Sequence, residues 1–373
     1  MPADTPPDAG TGRNAETVRD LAAQKAADAD STRTLDKEVA DAVVLAGFPR
    51  HFVAARWGGA EGSFAELTRA VLTVGEGCAA TAWYASLAAY SSRFAAHLPQ
   101  AGQQAVWGEG GPDAVIATGM VPGGRATRVA DGWRLDGRWS YVSGIDFAGW
   151  ALLCALVPAA DGPPAMRFFA VPWGQWTVDP VWDNVGMRAT GSHTVTVTDV
   201  LVPEHLSFDR QELFTGRNSS SDLSVHNVPI QAVSGLPFVT PAAGAAIGAL
   251  KAAAATLTGR RRTPFNEVKL VRAAGRIDAA RLLIEQNAEA ADAHRFDRAL
   301  LARGERNATY AAETLREAAG LLVALAGTAG LSESGALQRH WRDITTATSH
   351  VALQYETSAA KNYAAVLLGP AED

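Results

Sequence analysis

The sequence predicts an α+β fold in three successive parts: helices, then a compact antiparallel β-domain, then a bundle of long helices. Three observations predict it. Alanine-rich runs with helical spacing occupy both ends of the 373-residue chain. After Gly108-Glu109-Gly110-Gly111-Pro112 the composition shifts to Val, Trp, Thr, Gly and Pro, with strand-length runs and turn dipeptides. Beyond Pro241 the pattern is helical to the end. The expected boundaries are 1–110 for an N-terminal helical domain, 111–215 for a β-barrel-like middle domain and 216–373 for a C-terminal four-helix bundle.

Taking the elements in order, residues 1–14 are rich in Pro, Gly, Asp and Thr and are expected to form a disordered tail. The spacing of Val18, Leu21, Leu35, Val39, Val43 and Val44 predicts amphipathic helices up to Ala46, ended by Gly47-Phe48-Pro49. After a glycine-rich loop, Ser63 caps a helix to about Val74. The next helix, about Ala79 to Ala96, is almost free of charge, so it should be buried between other helices. Strands are expected at Val115–Thr118, Arg167–Val171 and Thr194–Val197. Residues 209–235, polar and serine-rich, read as a mobile surface loop. Four helices should follow, at Ala242–Thr258, Pro264–Arg295, Ala299–Ala329 and Gln338–Leu368.

Composition bounds the function. Hydrophobic residues make up 47% and charged residues 19%, and the net charge is −6. Without a phosphate-neutralising excess, a nucleic-acid partner is not expected. Only Cys78 and Cys154 occur, which excludes a disulfide framework or a zinc cluster as the organising feature. Met1-Pro2-Ala3-Asp4-Thr5-Pro6-Pro7-Asp8 lacks the regions of a signal peptide. No stretch has the roughly 18 uninterrupted apolar residues of a membrane span. A cytoplasmic protein with no membrane partner is the expectation. P-loop, strand-coupled GxGxxG, GxSxG and HExxH motifs are missing from the sequence.

The most informative stretch is 131–150. Asp131-Gly132 and Asp136-Gly137 read as turns, Trp133-Arg134-Leu135 and Arg138–Ser143 alternate like strands, and Trp150–Val157 suits a strand buried on both faces. Together they predict a meander. Its second strand, ending in hydroxyls beside Trp139 and Tyr141, could serve a flat heteroaromatic ligand; an ordinary hairpin with a buried Trp139 fits equally well.

The G-x-W-x-S pattern, followed by Ser143-Gly144 and an apolar strand, resembles the central β-domain of the acyl-CoA dehydrogenase superfamily. It is most similar to the two-component monooxygenases of that fold that use reduced flavin. Asp183-Asn184-Val185-Gly186-Met187-Arg188-Ala189-Thr190-Gly191-Ser192-His193, followed by Asp199-Val200-Leu201-Val202-Pro203, resembles a second superfamily segment. The resemblance implies that Trp139, Ser140, Tyr141, Ser143, Gly191, Ser192 and His193 face the isoalloxazine ring, with Ser143 close enough to take part in catalysis. Apart from the resemblance, Ser192 reads as the cap of a tight turn. Arg262-Thr263-Pro264-Phe265 resembles an R-x-x-F segment whose Arg reaches the flavin pyrophosphate of a neighbouring subunit. That implies an oligomer, expected to be a homotetramer.

Trp341-Arg342-Asp343-Ile344-Thr345-Thr346-Ala347-Thr348-Ser349-His350 is similar to the W-R-D-x-x-x-A-x-x-H signature of phenol-hydroxylating flavin monooxygenases. This implies that His350 points at flavin and substrate, as acid/base or as a hydrogen-bonding group. Arg342 and Asp343 read as helix-stabilising charges. Tyr355-Glu356-Thr357-Ser358 superficially resembles the Y-E-G-T segment of acyl-CoA dehydrogenases, but lacks its glycine, so Glu356 reads as a solvated carboxylate. Trp83, Tyr84 and Tyr90 are candidates for a substrate pocket. Tyr90-Ser91-Ser92 stands where related hydroxylases carry a histidine, which leaves room for another substrate.

The function implied is hydroxylation of a small aromatic or polyketide-like molecule by O2 and reduced flavin (FMNH2 or FADH2). A separate NAD(P)H:flavin reductase would supply the flavin. The alternatives are N-oxygenation of an amine, acyl-thioester desaturation through Glu356, and a flavin-free ligand-binding relative.

Overall fold

The computed structural model describes residues 11–108, 110–159, 162–258 and 263–369. Helix α1 (Thr11–Thr32) already includes 11–14, so the expected tail does not extend that far; residues 1–10 lie outside the described residues. Helix α2 (Lys37–Leu45) is capped by Asp36, whose side chain accepts from the Glu38 amide. Helix α3 (Phe64–Gly77) opens with a capping box between Ser63 and Glu66. Helix α4 (Ala79–Ala95) is buried along nearly its whole length, as its lack of charge requires. A short helix α5 (Gln100–Gln103), continued by a π turn, leads to the sheet.

The middle of the chain is one seven-stranded sheet: β1 (Ile116–Val129), β2 (Gly132–Val142), β3 (Trp150–Val157), β4 (Ala165–Pro172), β5 (Thr177–Asp179), β6 (His193–Val202) and β7 (Ser207–Asp209). Their order is β5-β6-β2-β1-β3-β4-β7. Two expectations are corrected here. The sheet is mixed, because β1 and β3 run parallel, and β1 lies between β2 and β3, so 131–150 is no meander. Asp136-Gly137 is no turn either: β2 runs straight through with a shift of register against β6. Asp136 accepts the amide hydrogen of left-handed Asp199 at 2.8 Å, which pins that irregularity.

Residues 209–235 are ordered, contrary to expectation, and contain α6 (Arg210–Thr215) and α7 (Ile230–Val233). What orders them is Arg93 of α4, a fully buried guanidinium that donates to the carbonyls of Val225 and Val228. His226, also buried, bonds Ser221 and the Phe52 carbonyl.

Helix α8 (Leu236–Leu257) starts earlier than Pro241 suggested and runs through it. Proline removes the amide that the Pro237 carbonyl would accept; Ser86 of α4 donates its hydroxyl there instead, at 3.1 Å. By length and composition α8 resembles a membrane span, but it packs between α3, α4, α9 (Pro264–Asp292), α10 (Arg298–Ala326) and α11 (Ala336–Ala347), with most of its apolar surface buried. The fourth long helix is broken: α11 ends at Ala347 and α12 covers only Ala360–Leu368. Between them His350 and Gln354 adopt extended backbone angles.

Candidate active site

The break after α11 matters because it turns His350 inward. Its ring stacks on Phe238 of α8 at 3.8 Å between centroids and meets the edge of Trp83 of α4 at 5.8 Å. Trp83 and Phe238 are themselves 5.2 Å apart. Burial pushes the His350 imidazole down to about 4, so at neutral pH it is uncharged. Its Nδ1 accepts the Ala352 amide hydrogen at 3.2 Å. A neutral ring that accepts at Nδ1 carries its hydrogen on Nε2. Nε2 has no partner among the described residues, so the group offered to a ligand is a donor.

Trp83 also begins a chain of hydroxyls. The Trp83 indole donates to Ser143 Oγ at 3.1 Å; Ser143 and Ser192 hydroxyls are 2.7 Å apart, as are Ser192 and Thr190. Thr190 Oγ1 donates to the Met187 carbonyl at 3.0 Å. An indole N–H can only donate and a carbonyl can only accept. One assignment therefore fills all four links: every hydroxyl hydrogen points away from Trp83 and toward Met187. Each hydroxyl spends its hydrogen within the chain. Ser143 and Ser192 are left with lone pairs, so toward a ligand they accept. Elements from three regions build this cluster: α4, the end of β2 and the segment leading into β6.

The remaining sequence candidates divide. Tyr141 is 75% exposed, with left-handed φ of 62°, and its ring meets the edge of Trp182 at 6.2 Å. Gly191 (φ 55°) adjoins Asp146, since a Cβ there would come within 2.5 Å of Asp146 Oδ2. His193 Nδ1 accepts from the Trp182 amide, and its Nε2 lies 3.6 Å from Asp146. Burial raises the Asp146 carboxyl, against the nearby imidazole.

Trp139 is a core residue. It is 2% exposed, its indole donates to the Cys154 carbonyl at 2.6 Å, and it fills the space over Gly119, Gly123 and Gly124. The buried-Trp reading of that strand is the one realised for this residue. Ser140, on the opposite face, accepts a hydrogen bond from the Thr194 hydroxyl at 3.4 Å. Tyr90 packs against Phe52 and Phe64 in the core. Tyr84 sits under Gly144 and beside Phe147; its buried hydroxyl has no partner among the described residues. Phe265 is 66% exposed and stacks only under Lys269, while Arg262 lies outside the described residues. Glu356 is exposed in a π turn, as a solvated carboxylate should be.

Three contributors escaped the sequence reading. Phe238 stood in an apolar run like any core residue, and Trp182 carried no pattern. Asp343 reads from the sequence as a helix-stabilising charge, but it is buried and accepts the Met187 amide hydrogen at 2.6 Å.

Comparison with known proteins agrees with this geometry. Residues 236–355 match the family model for the acyl-CoA dehydrogenase C-terminal domain. The oxygenase component of an FADH2-dependent resorcinol hydroxylase from Rhizobium sp. (strain MTP-10005) is 29% identical over 332 residues, 80% of each chain. The crystal structure of 3-HSA hydroxylase from Rhodococcus sp. RHA1 superposes with a TM-score of 0.91 at 25% identity, over 97% of both chains. The chain is thus similar, over most of its length, to two-component flavin-dependent oxygenases, and it shares their fold. A further structural match is XiaF from Streptomyces sp. in complex with FADH2 and glycerol: TM-score 0.89, 27% identity, covering 97% of this chain and 95% of that one.

The cluster fits the polar edge of a flavin. Lone pairs on Ser143 and Ser192 suit ring N–H groups, and exposed Tyr141 with Trp182 offers aromatic surface beside them.

Proposed function

We propose that this monooxygenase hydroxylates a small aromatic substrate of the phenol class, using O2 and reduced flavin delivered by a separate reductase. The observation that carries the reading is the set of groups gathered around Trp83: its indole hydrogen goes to the acceptor hydroxyl of Ser143, which bonds Ser192, while neutral His350, with its donor at Nε2, packs against the rings of Trp83 and Phe238. A reduced isoalloxazine has more ring N–H groups than an oxidised one, so acceptor-only hydroxyls favour the reduced state. Bound reduced flavin supplies the electrons that activate O2. The chain's residues orient the ring through Ser143 and Ser192 and exclude water with Trp83 and Phe238. His350 holds a hydrogen at Nε2 against the oxygen of the phenol or of activated O2. With Nδ1 occupied, His350 works as a donor rather than as a base.

Supporting an oligomer, Phe265, Val268, Val271 and Leu282 leave apolar surface on α9, as do Leu367 and Leu368 on α12. We read this as the face through which subunits join in a homotetramer, with Phe265 reaching a neighbour's flavin.

The test is anaerobic titration with FMNH2 and FADH2, then mixing with O2 and simple phenols. Tighter binding of reduced than oxidised flavin, with hydroxylated product, is expected. Equal affinity for both redox states, with all flavin electrons lost to hydrogen peroxide whatever the phenol, would refute it.

A further inference from the structure

The hydroxyl chain ends on one residue, and that residue is held from another domain. The Met187 carbonyl accepts from Thr190 Oγ1 at 3.0 Å, from the Thr190 amide at 3.2 Å and from the Trp182 indole at 2.8 Å. Met187 is buried and left-handed (φ 53°), a conformation that is costly for a non-glycine residue unless its surroundings impose it. Asp343 of α11 imposes it. Its carboxylate accepts the Met187 amide hydrogen at 2.6 Å, in a site closed to solvent. Neighbouring contacts bring the same segment to α11 and α1: Arg342 donates to the Val185 carbonyl and bridges to Asp30, and Arg33 donates to the Asn184 carbonyl. A side chain on Gly186 would collide with the Arg342 carbonyl, so the approach is as close as backbone permits.

We propose that Asp343 is a positioning residue for the cofactor: by gripping the Met187 amide it fixes the anchor from which Thr190, Ser192 and Ser143 are aligned. This rests on the flavin reading of the site. Asp343 touches neither cofactor nor substrate. Its effect travels through four hydrogen bonds, and the element that carries it is also the one whose end turns His350 inward. One helix thereby sets both polar sides of the site.

A buried carboxylate was not needed merely to close the helix, since burial of the charge opposes folding. The acceptor is what the turn requires, and asparagine keeps an acceptor where leucine does not. The experiment compares Asp343→Asn with Asp343→Leu. Hydrogen exchange in the flavin-free protein reads the 183–192 segment directly, and anaerobic titration reads the dissociation constant for FMNH2. Asp343→Leu is expected to speed exchange of that segment and weaken FMNH2 binding by about tenfold, the usual worth of one buried hydrogen bond. At saturating flavin, kcat and the KM for the phenol should stay near wild type, a split that general loosening of the fold would not give. Asp343→Asn should restore both exchange and affinity. If exchange is unchanged in Asp343→Leu, or if Asp343→Asn loses affinity to the same extent, the proposal is overturned. Should Asp343→Leu fail to fold, Asp343→Asn decides alone: wild-type exchange and affinity support the latch, and loss of either refutes it. If wild type binds no reduced flavin, the functional reading fails, while the exchange arm still tests the grip on Met187.

Discussion

Replacing His350 with phenylalanine separates the two roles open to an imidazole in this site. The ring stacks on Phe238 at 3.8 Å, so phenylalanine keeps the packing and removes only the polar atoms. Losing a donor that faces a charged or strongly polar oxygen in a dry site costs about 1.5–3 kcal/mol, roughly a 10- to 100-fold fall in kcat/KM for hydroxylation. Flavin binding should hold, because Ser143 and Ser192 are untouched. The lost electrons should appear as hydrogen peroxide, so the assay is product and peroxide per flavin oxidised, from about pH 5.5 to 8.5. The wild-type profile supplies the decisive sign. Burial holds His350 at about 4, so the neutral donor is fully present across that range and lost only as pH falls through about 4. No limb near 6.5 is expected from this residue. A wild-type limb near 6.5 that vanishes in His350→Phe would refute the reasoning and establish a titrating base.

Three more outcomes are expected. Ser143→Ala should leave the Trp83 indole without an acceptor and lower stability by about 1–2 kcal/mol, but in a Trp83→Phe background the same change should cost less; additive shifts in urea midpoints would count against the directed chain. Asp343 is raised by burial from 3.8 to about 6, so charging it destabilises the fold by at most about 3 kcal/mol as pH rises through that window. Asp343→Asn should remove this cost, seen as a gain over wild type in urea midpoint at pH 7.5 that shrinks toward pH 4. Buried His226, His340 and His350, each lowered to about 4, work in the opposite direction, adding stability as pH rises from about 4 to 6.5, so the comparison must be made between variants at each pH. Trp139→Phe, which removes the bond to the Cys154 carbonyl and part of the volume over three glycines, should destabilise by about 2–4 kcal/mol. Its affinity for reduced flavin should be unchanged, measured by the same anaerobic titration; a large loss of affinity at full stability would return Trp139 to the site.

Much of the architecture was legible because it depends on local chemistry. Ser63 with Glu66 marks the start of α3, a charge-free run marks α4 as buried, and the change of composition after Gly108 marks the sheet. The reading failed where distant groups override local pattern. Pro241 looked like a helix start, but Ser86 bonds the carbonyl that proline leaves unpaired. Serine-rich 209–235 looked mobile, but buried Arg93 orders it. Asp136-Gly137 looked like a turn, but Asp199 across the ladder keeps the strand continuous.

The candidate site divides in the same way. Sequence by itself determined the α+β class, the family resemblance and the choice of His350, Ser143 and Ser192 as candidates, because those features lie in short contiguous motifs. Tertiary structure alone decided which side chains meet. It sent Trp139 and Tyr90 into the core, joined Trp83 to Ser143, and broke the last helix so that His350 stacks on Phe238. It also turned Asp343 from an apparent helix-stabilising charge into a buried acceptor for the Met187 amide. The physical reason is that burial and hydrogen-bond direction depend on residues far apart in the chain: a donor has no fixed meaning until its acceptor is in place.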